Sequence, residues 1–144
     1  MAITTTTPNL NIRQLKITVG HADLSAAATT NSEVIYTLTP RSQIMAAFAQ
    51  VTENFTGGAI SAYTLSVGHA PFSSTRVLLD FVAFSGTTST ALMGNINAGV
   101  NEVIVTNMES TDYDIKIYAT STDADLDAAT AGSVDIYLIV AETT

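Results

Sequence analysis

The chain has 144 residues and no cysteine, a length that fits one domain burying about two thirds of its unfolded surface, and a composition that excludes disulfides, zinc–thiolate sites and thiol nucleophiles. Five basic against 13 acidic side chains give a net charge of −8, so counterion release from a phosphate backbone has no basic surface to drive it, and nucleic acids and anionic membranes are poor partners. Charged residues make up only 12%, against about 25% in ordinary soluble domains, and a surface so weakly charged is expected to be covered in part by something else.

The opening "MAITTTTPNLN" lacks the basic and apolar regions of a leader, and no apolar run approaches the roughly 20 residues of a membrane span. Threonine-rich and carrying Pro8, it is expected to be extended and loosely held, an arm over residues 1–11 ahead of a single domain over 12–144. "RQLKITVG" alternates Leu15, Ile17 and Val19 against Gln14, Lys16 and Thr18, the period of a half-buried strand, and Gly20 ends it. "EVIYTLTP" puts Val34, Tyr36 and Leu38 on one face before Pro40 stops it. "QIMAAFAQVTENF" is alanine-rich, yet Ile44, Ala46 and Phe48 alternate, and it reads as a strand closed by the "TGG" turn.

"AISAYTLSVG" places Ile60, Tyr63, Leu65 and Val67 in a further strand whose phase slips at its start, which a bulge near Ser61 would reconcile, and Gly68 is expected to end it. "SSTRVLLDFVAFSG", residues 73–85 with a flanking glycine, suits either a short capped helix or a buried strand. "VNEVIVTN", "DYDIKIYATS" and "SVDIYLIVAE" are strands by their β-branched and aromatic content, with Tyr113, Ile115 and Ile117 facing inward. About seven to eight strands joined by short polar turns, with no long amphipathic helix, predict an all-β antiparallel sandwich or barrel.

Candidate chemistry is sparse. The tetrapeptide VGHA occurs twice and holds both histidines, so His21, Asp23 and His69 form a conceivable metal set; the simpler use of each histidine is at a strand-to-loop junction. Asp123, Asp125 and Asp127 have the spacing that opens a calcium loop, but Ala128 stands where its glycine belongs and Val134 where its bidentate glutamate belongs. Glu109, Asp112 and Asp114 read as a hydrated turn, and Gly57-Gly58 as a turn without the Walker lysine. Serine, histidine and aspartate are all present, but no G-x-S-x-G elbow occurs, and no enzyme activity, metal or cofactor is expected.

The segments "ITVGHADLSAAATTNSEVIYTLTP", "VTENFTGGAISAYTLSVG" and "LDAATAGSVDIYLIVAE" follow one another, across most of residues 15–142, in an order that resembles a group of tailed-bacteriophage structural proteins. "HAPFSSTRVLLDFVAF" departs from that pattern by being more apolar. The resemblance implies a jelly-roll-like virion protein, a decoration or cement protein on the capsid exterior, trimeric, whose partners are the major capsid protein and neighbouring copies of itself. An extended arm can add a strand to a neighbour's sheet edge, with Ile3, Pro8, Leu10 and Ile12 as candidate interface residues. The competing readings are a head-fibre or tail component, or a carbohydrate-binding module using Tyr63, Tyr113, Tyr118 and Tyr137, although no tryptophan is present for stacking.

Overall fold

The computed structural model describes residues 2–6, 10–69, 77–84, 93–94, 105–107 and 110–143. Nine strands run through them: β1 (Leu10–Gly20), β2 (Thr30–Leu38), β3 (Ser42–Thr56), β4 (Ala62–His69), β5 (Val77–Phe84), β6 (Met93–Gly94), β7 (Val105–Thr106), β8 (Tyr113–Thr122) and β9 (Ala131–Thr143). Two 3₁₀ turns, His21–Leu24 and Leu126–Ala128, are the helical elements among the described residues.

The strands form two antiparallel sheets. Sheet A has the order β1-β9-β3, with β6 and β7 both on the far side of β3; sheet B has the order β2-β8-β4-β5. Met93 and Gly94 pair Gln50 and Ala49, while Val105 and Thr106 pair Ile44 and Gln43, so β6 and β7 run the same way along one edge and fill one strand position. Eight positions that pass between the sheets in this sequence are the two-Greek-key wiring of a jelly roll. The segment that suited either helix or strand is a strand where it is described, pairing with β4 from Gly68↔Val77 to Tyr63↔Phe84.

Alternation builds the core. Val134, Ile136, Leu138 and Val140 of β9 are all fully buried, as are Ile115 and Ile117 of β8 and Tyr63, Leu65 and Val67 of β4, so the central strands of both sheets face each other with large apolar side chains. Phe55 and Tyr63 stack across the sandwich at 4.7 Å between ring centroids. Leu15, Ile17 and Val19 point inward as their spacing predicts, though only Val19 is fully covered because β1 is an edge strand.

Five details depart from the expected phase. The register of β2 shifts between Val34 and Tyr36, which turns Val34 outward, 49% exposed, while Leu38 stays buried. A shift between Ile44 and Ala46 buries Ile44 but leaves Phe48 on the outside. The slip expected near Ser61 is no bulge: Ile60 lies in a turn closed by its N–H on the Gly57 carbonyl, and the strand begins after it at Ala62. Gly68 does not stop β4, which runs on through the buried His69, paired with Ile115. Lastly, β1 pairing starts at Leu10 and Asn11, opposite Thr143 and Glu142, inside the range expected of a free arm.

Candidate interaction surfaces

The residues singled out for chemistry are spread across the fold. His21 follows the end of β1 that pairs Ser133, whereas His69 ends β4 beside Ile115, at the opposite end of the sandwich. His69 stacks flat on Tyr113 at 5.1 Å, and Asp23 accepts the Gly20 N–H at 2.8 Å, holding its own 3₁₀ turn. Among the described residues no three His, Asp or Glu side chains converge as a metal site. Asp123, with φ at 70°, accepts a hydrogen bond from the Ser61 hydroxyl and turns the chain. Leu126 and Asp127 then donate their N–H groups to the carbonyls of Ala28 and Ala26 at 2.9 and 3.0 Å, so the acidic loop is a corner stitched to the segment that follows the first 3₁₀ turn. Glu109 lies outside the described residues.

The interface candidates sit at the start of the chain. Ile3 is 86% exposed within the extended residues 2–6; Leu10 and Ile12 are more than half exposed on β1, and Pro8 lies outside the described residues. β1 and β2 are the edge strands of the two sheets on the same flank. At one point that flank is closed by a polar cross-link: Arg13 Nη2 donates to Glu142 Oε1 at 2.6 Å and to the Tyr36 hydroxyl at 3.1 Å, and the Tyr36 hydroxyl donates to Glu142 at 3.1 Å. The pair with Glu142 raises the Arg13 pKa, and burial pushes the Tyr36 phenol up. Further along, the flank opens into a cleft of about 440 Å³ lined by Ile17, Val19, Asp23, Glu33, Val34 and Ile35, where two unpaired strand edges meet apolar side chains.

The two outer faces differ in chemistry. Sheet B shows Asp80, Asp114, Lys116, Tyr118 and Thr120, with a shallow trough of about 430 Å³ bordered by Thr30, Asn31, Ser32, Ser66, Tyr118 and Thr120. Sheet A shows Ile12, Met45, Phe48, Tyr137 and Ile139. Its charge lies toward one end, where Asp135 takes the Thr18 hydroxyl at 2.7 Å and Lys16 at 3.2 Å, and where Glu53 stands opposite Ser133. The Thr18 hydrogen bond, with Lys16 beside it, holds the Asp135 carboxyl below its ordinary value.

Of the four tyrosines proposed to stack on a sugar, Tyr63 is fully buried and Tyr113 is occupied by His69, and Tyr118 and Tyr137 lie on opposite sheets. Two structural features escaped the sequence reading. Asn107, fully buried, donates through Nδ2 to the carbonyls of Leu38 at 2.8 Å and Thr111 at 2.9 Å, and its backbone joins Arg41 and Ser42. The second is the kinship of "ADLSAA" and "ADLDAA": each makes a 3₁₀ turn that buries its leucine, Leu24 and Leu126, and the two turns adjoin.

No protein-family model matches the chain, and no curated protein is significantly similar to it. Among solved structures it is similar to a chain of the cyanophage Pam1 capsid asymmetric unit, with a TM-score of 0.53 at 16% identity over 99% of this chain and 92% of that one. A chain of the empty head of turnip yellow mosaic virus gives 0.46 at 10% identity, covering 100% of this chain and 85% of that one. Desmodium yellow mottle tymovirus gives 0.44 at 11%, covering 100% and 92%. These neighbours are viral capsid structures, and at such identities the likeness is one of fold.

Proposed function

We propose that this protein is a structural component of a tailed-bacteriophage virion, a decoration or cement protein that binds the outside of the head and strengthens contacts between capsid subunits without catalysis. The observation that carries the reading is the jelly roll matched end to end by a chain of a phage capsid asymmetric unit. The motif order in the sequence supports the same assignment independently of the fold. In this reading its partners are the major capsid protein and further copies of itself, as a homotrimer, with no nucleic acid or membrane engaged.

The physical features suit that task. A cement protein gains its effect from many modest contacts repeated by symmetry, so exposed apolar side chains beside a weakly charged, hydroxyl-rich surface serve it better than one deep pocket. Residues 1–11 were expected as an arm; the pairing of Leu10 and Asn11 in β1 narrows the segment available for exchange to residues 1–9. Added to the open edge of a neighbouring sheet, such a segment supplies main-chain hydrogen bonds where the flank is unpaired.

The test is to mix the purified protein with empty heads of candidate phages, pellet the shells, and follow shell rupture on heating. Stoichiometric co-sedimentation with a raised rupture temperature is the expected result. Failure to bind any shell, together with a positive glycan array, overturns it in favour of the carbohydrate-binding module. The trough around Tyr118, with hydroxyl and amide groups at its rim, is the observation that favours that second reading.

A further inference from the structure

We infer that residues 2–6 of a second copy seat as an added strand on the open edge of β2, with Ile3 in the cleft between β1 and β2. The inference rests on the arm of the assembly reading above and gives that arm a place on its neighbour. Asn31 caps the β2 edge at one end, where its side-chain oxygen takes the Ser32 N–H at 2.9 Å, and the cross-link of Tyr36 with Arg13 and Glu142 closes it at the other. Between them, Glu33, Val34 and Ile35 have no strand on their outer side among the described residues. The register with β8 passes from Val34 to Tyr36, so Ile35 has no partner in that ladder either. These same three residues line the cleft of about 440 Å³ together with Ile17, Val19 and Asp23, so an open main-chain edge and an apolar wall coincide.

What each copy leaves unused selects the occupant. Residues 2–6 are all exposed, Ile3 at 86%, and belong to no strand. Ile3, Thr4, Thr5 and Thr6 are β-branched, the side chains that favour a strand. Extended, the five residues cover roughly 16 Å, against roughly 10 Å for the three open residues of β2. Charge agrees with this choice. Asp23 and Glu33 rim the cleft and repel an acidic segment, Asp23 already takes the Gly20 N–H at 2.8 Å, and residues 1–12 carry no charged side chain. Every copy brings such a segment, so no foreign strand is required.

The arm of the same copy is badly placed for this seat. Along β1 the cross-link at Arg13 stands between the root of the arm at Leu10 and the cleft at Ile17 and Val19. The arm would have to double back over a closed stretch of flank, and in the isolated chain residues 2–6 stay exposed instead. One donor and one acceptor on each copy make a head-to-tail contact, the kind that closes into a ring.

The test exploits the absence of cysteine. Ile3→Cys protein is mixed with Val34→Cys protein, treated with a short bismaleimide and resolved by denaturing gel and mass spectrometry; Thr120→Cys, on the outer face of sheet B, replaces Val34→Cys in the control. All three positions are exposed, and thermal melting verifies that each variant is folded. Covalent pairs joined through positions 3 and 34 should form at least tenfold faster than pairs joined through 3 and 120. In sedimentation over a concentration series, Ile3→Asp, which brings a further carboxylate to Asp23 and Glu33, should raise the dissociation constant between copies by at least tenfold. Equal rates at 34 and 120, no pair at all, or an unchanged dissociation constant for Ile3→Asp each overturns the inference. So does a double variant, Ile3→Cys with Val34→Cys, that links within one chain at high dilution, because the arm then seats on its own flank. Shell binding is scored separately: copies that bind heads without linking through 3 and 34 sink this seat alone, and copies that link but ignore heads sink the virion reading alone.

Discussion

At the scale of single residues, the polar groups inside the sandwich set its sharpest dependencies. The Tyr63 ring is fully buried against Phe55, and among the described residues its hydroxyl has no hydrogen-bond partner. Burial pushes the phenol up to about 12, so below pH 10 it is neutral in both folded and unfolded chains. Between pH 10 and 12 the unfolded chain releases this proton and the folded one keeps it, so stability declines across that window, by about 2 to 3 kcal/mol at its end. Tyr63→Phe should therefore match or slightly exceed wild type in urea melts at pH 7 and lose less stability than wild type at alkaline pH; a variant that melts earlier at pH 7 would show that the hydroxyl matters. Asn107 predicts the opposite behaviour. Its amide satisfies two carbonyls from different segments, and Asn107→Ala strips both of them inside the protein, at about 1 to 3 kcal/mol for each buried group left unsatisfied. Urea unfolding should place the loss at several kcal/mol, and a loss below 1 kcal/mol would mean that the surroundings reorganise.

At the scale of elements, the two ADL turns and the Gly57-Gly58 turn form one corner. Gly57 has φ at 154°, and a Cβ there would collide with the Ala128 carbonyl oxygen and come 2.8 Å from Ala129 Cα. Both obstacles are backbone, so neither yields by a rotamer change. Gly57→Ala should lower the thermal midpoint by well over the 4 to 8 °C that about 1 kcal/mol produces in a small domain, whereas Gly20→Ala, with its nearest contact at 3.6 Å and no positive φ, should have little effect. Strand existence was legible here because alternation of β-branched residues is local information. Facing was less so: the shifts after Val34 and Ile44 invert Val34 and Phe48, and such shifts answer to the partner strand, which local periodicity does not contain. Gly68 looked like a stop for the same reason, since whether β4 continues depends on Ile115 across the ladder. The repeated VGHA lies at a strand end both times, β1 closing at Gly20 and β4 at His69, whereas the repeat ADL-x-AA, which holds no chemical group to single it out, is the one whose two copies meet in the fold. The interface candidates were legible in part, because exposure at Ile3, Leu10 and Ile12 follows from their place at the chain's start, whereas Met45 and Phe48 join them only through a bulge.

At the scale of the molecule, the proposed division between a self-sufficient sandwich and an exchanging N-terminal segment has a direct consequence. Residues 2–6 are all exposed and belong to no strand, and the first register pair of β1 is Leu10 with Thr143. Every core side chain from Val19 onward, both sheets, and the cross-link of Arg13 with Glu142 and Tyr36 lie beyond that point. Deleting residues 1–9 should then leave the thermal midpoint within a few degrees of wild type, because the deleted stretch holds no buried apolar area among its described residues and an ordered chain end there would cost conformational entropy. The same deletion should weaken shell binding, since an arm that adds a strand to a neighbour contributes main-chain hydrogen bonds that no side chain elsewhere replaces. Deletion to residue 12 is the informative contrast, as it removes three rungs of the β1–β9 ladder and should cost stability even in an isolated copy. If the shorter deletion leaves both mass and shell binding unchanged, the arm has no part in assembly, and association then falls to the exposed faces of the sandwich, where Ile12, Met45 and Phe48 lie open on sheet A.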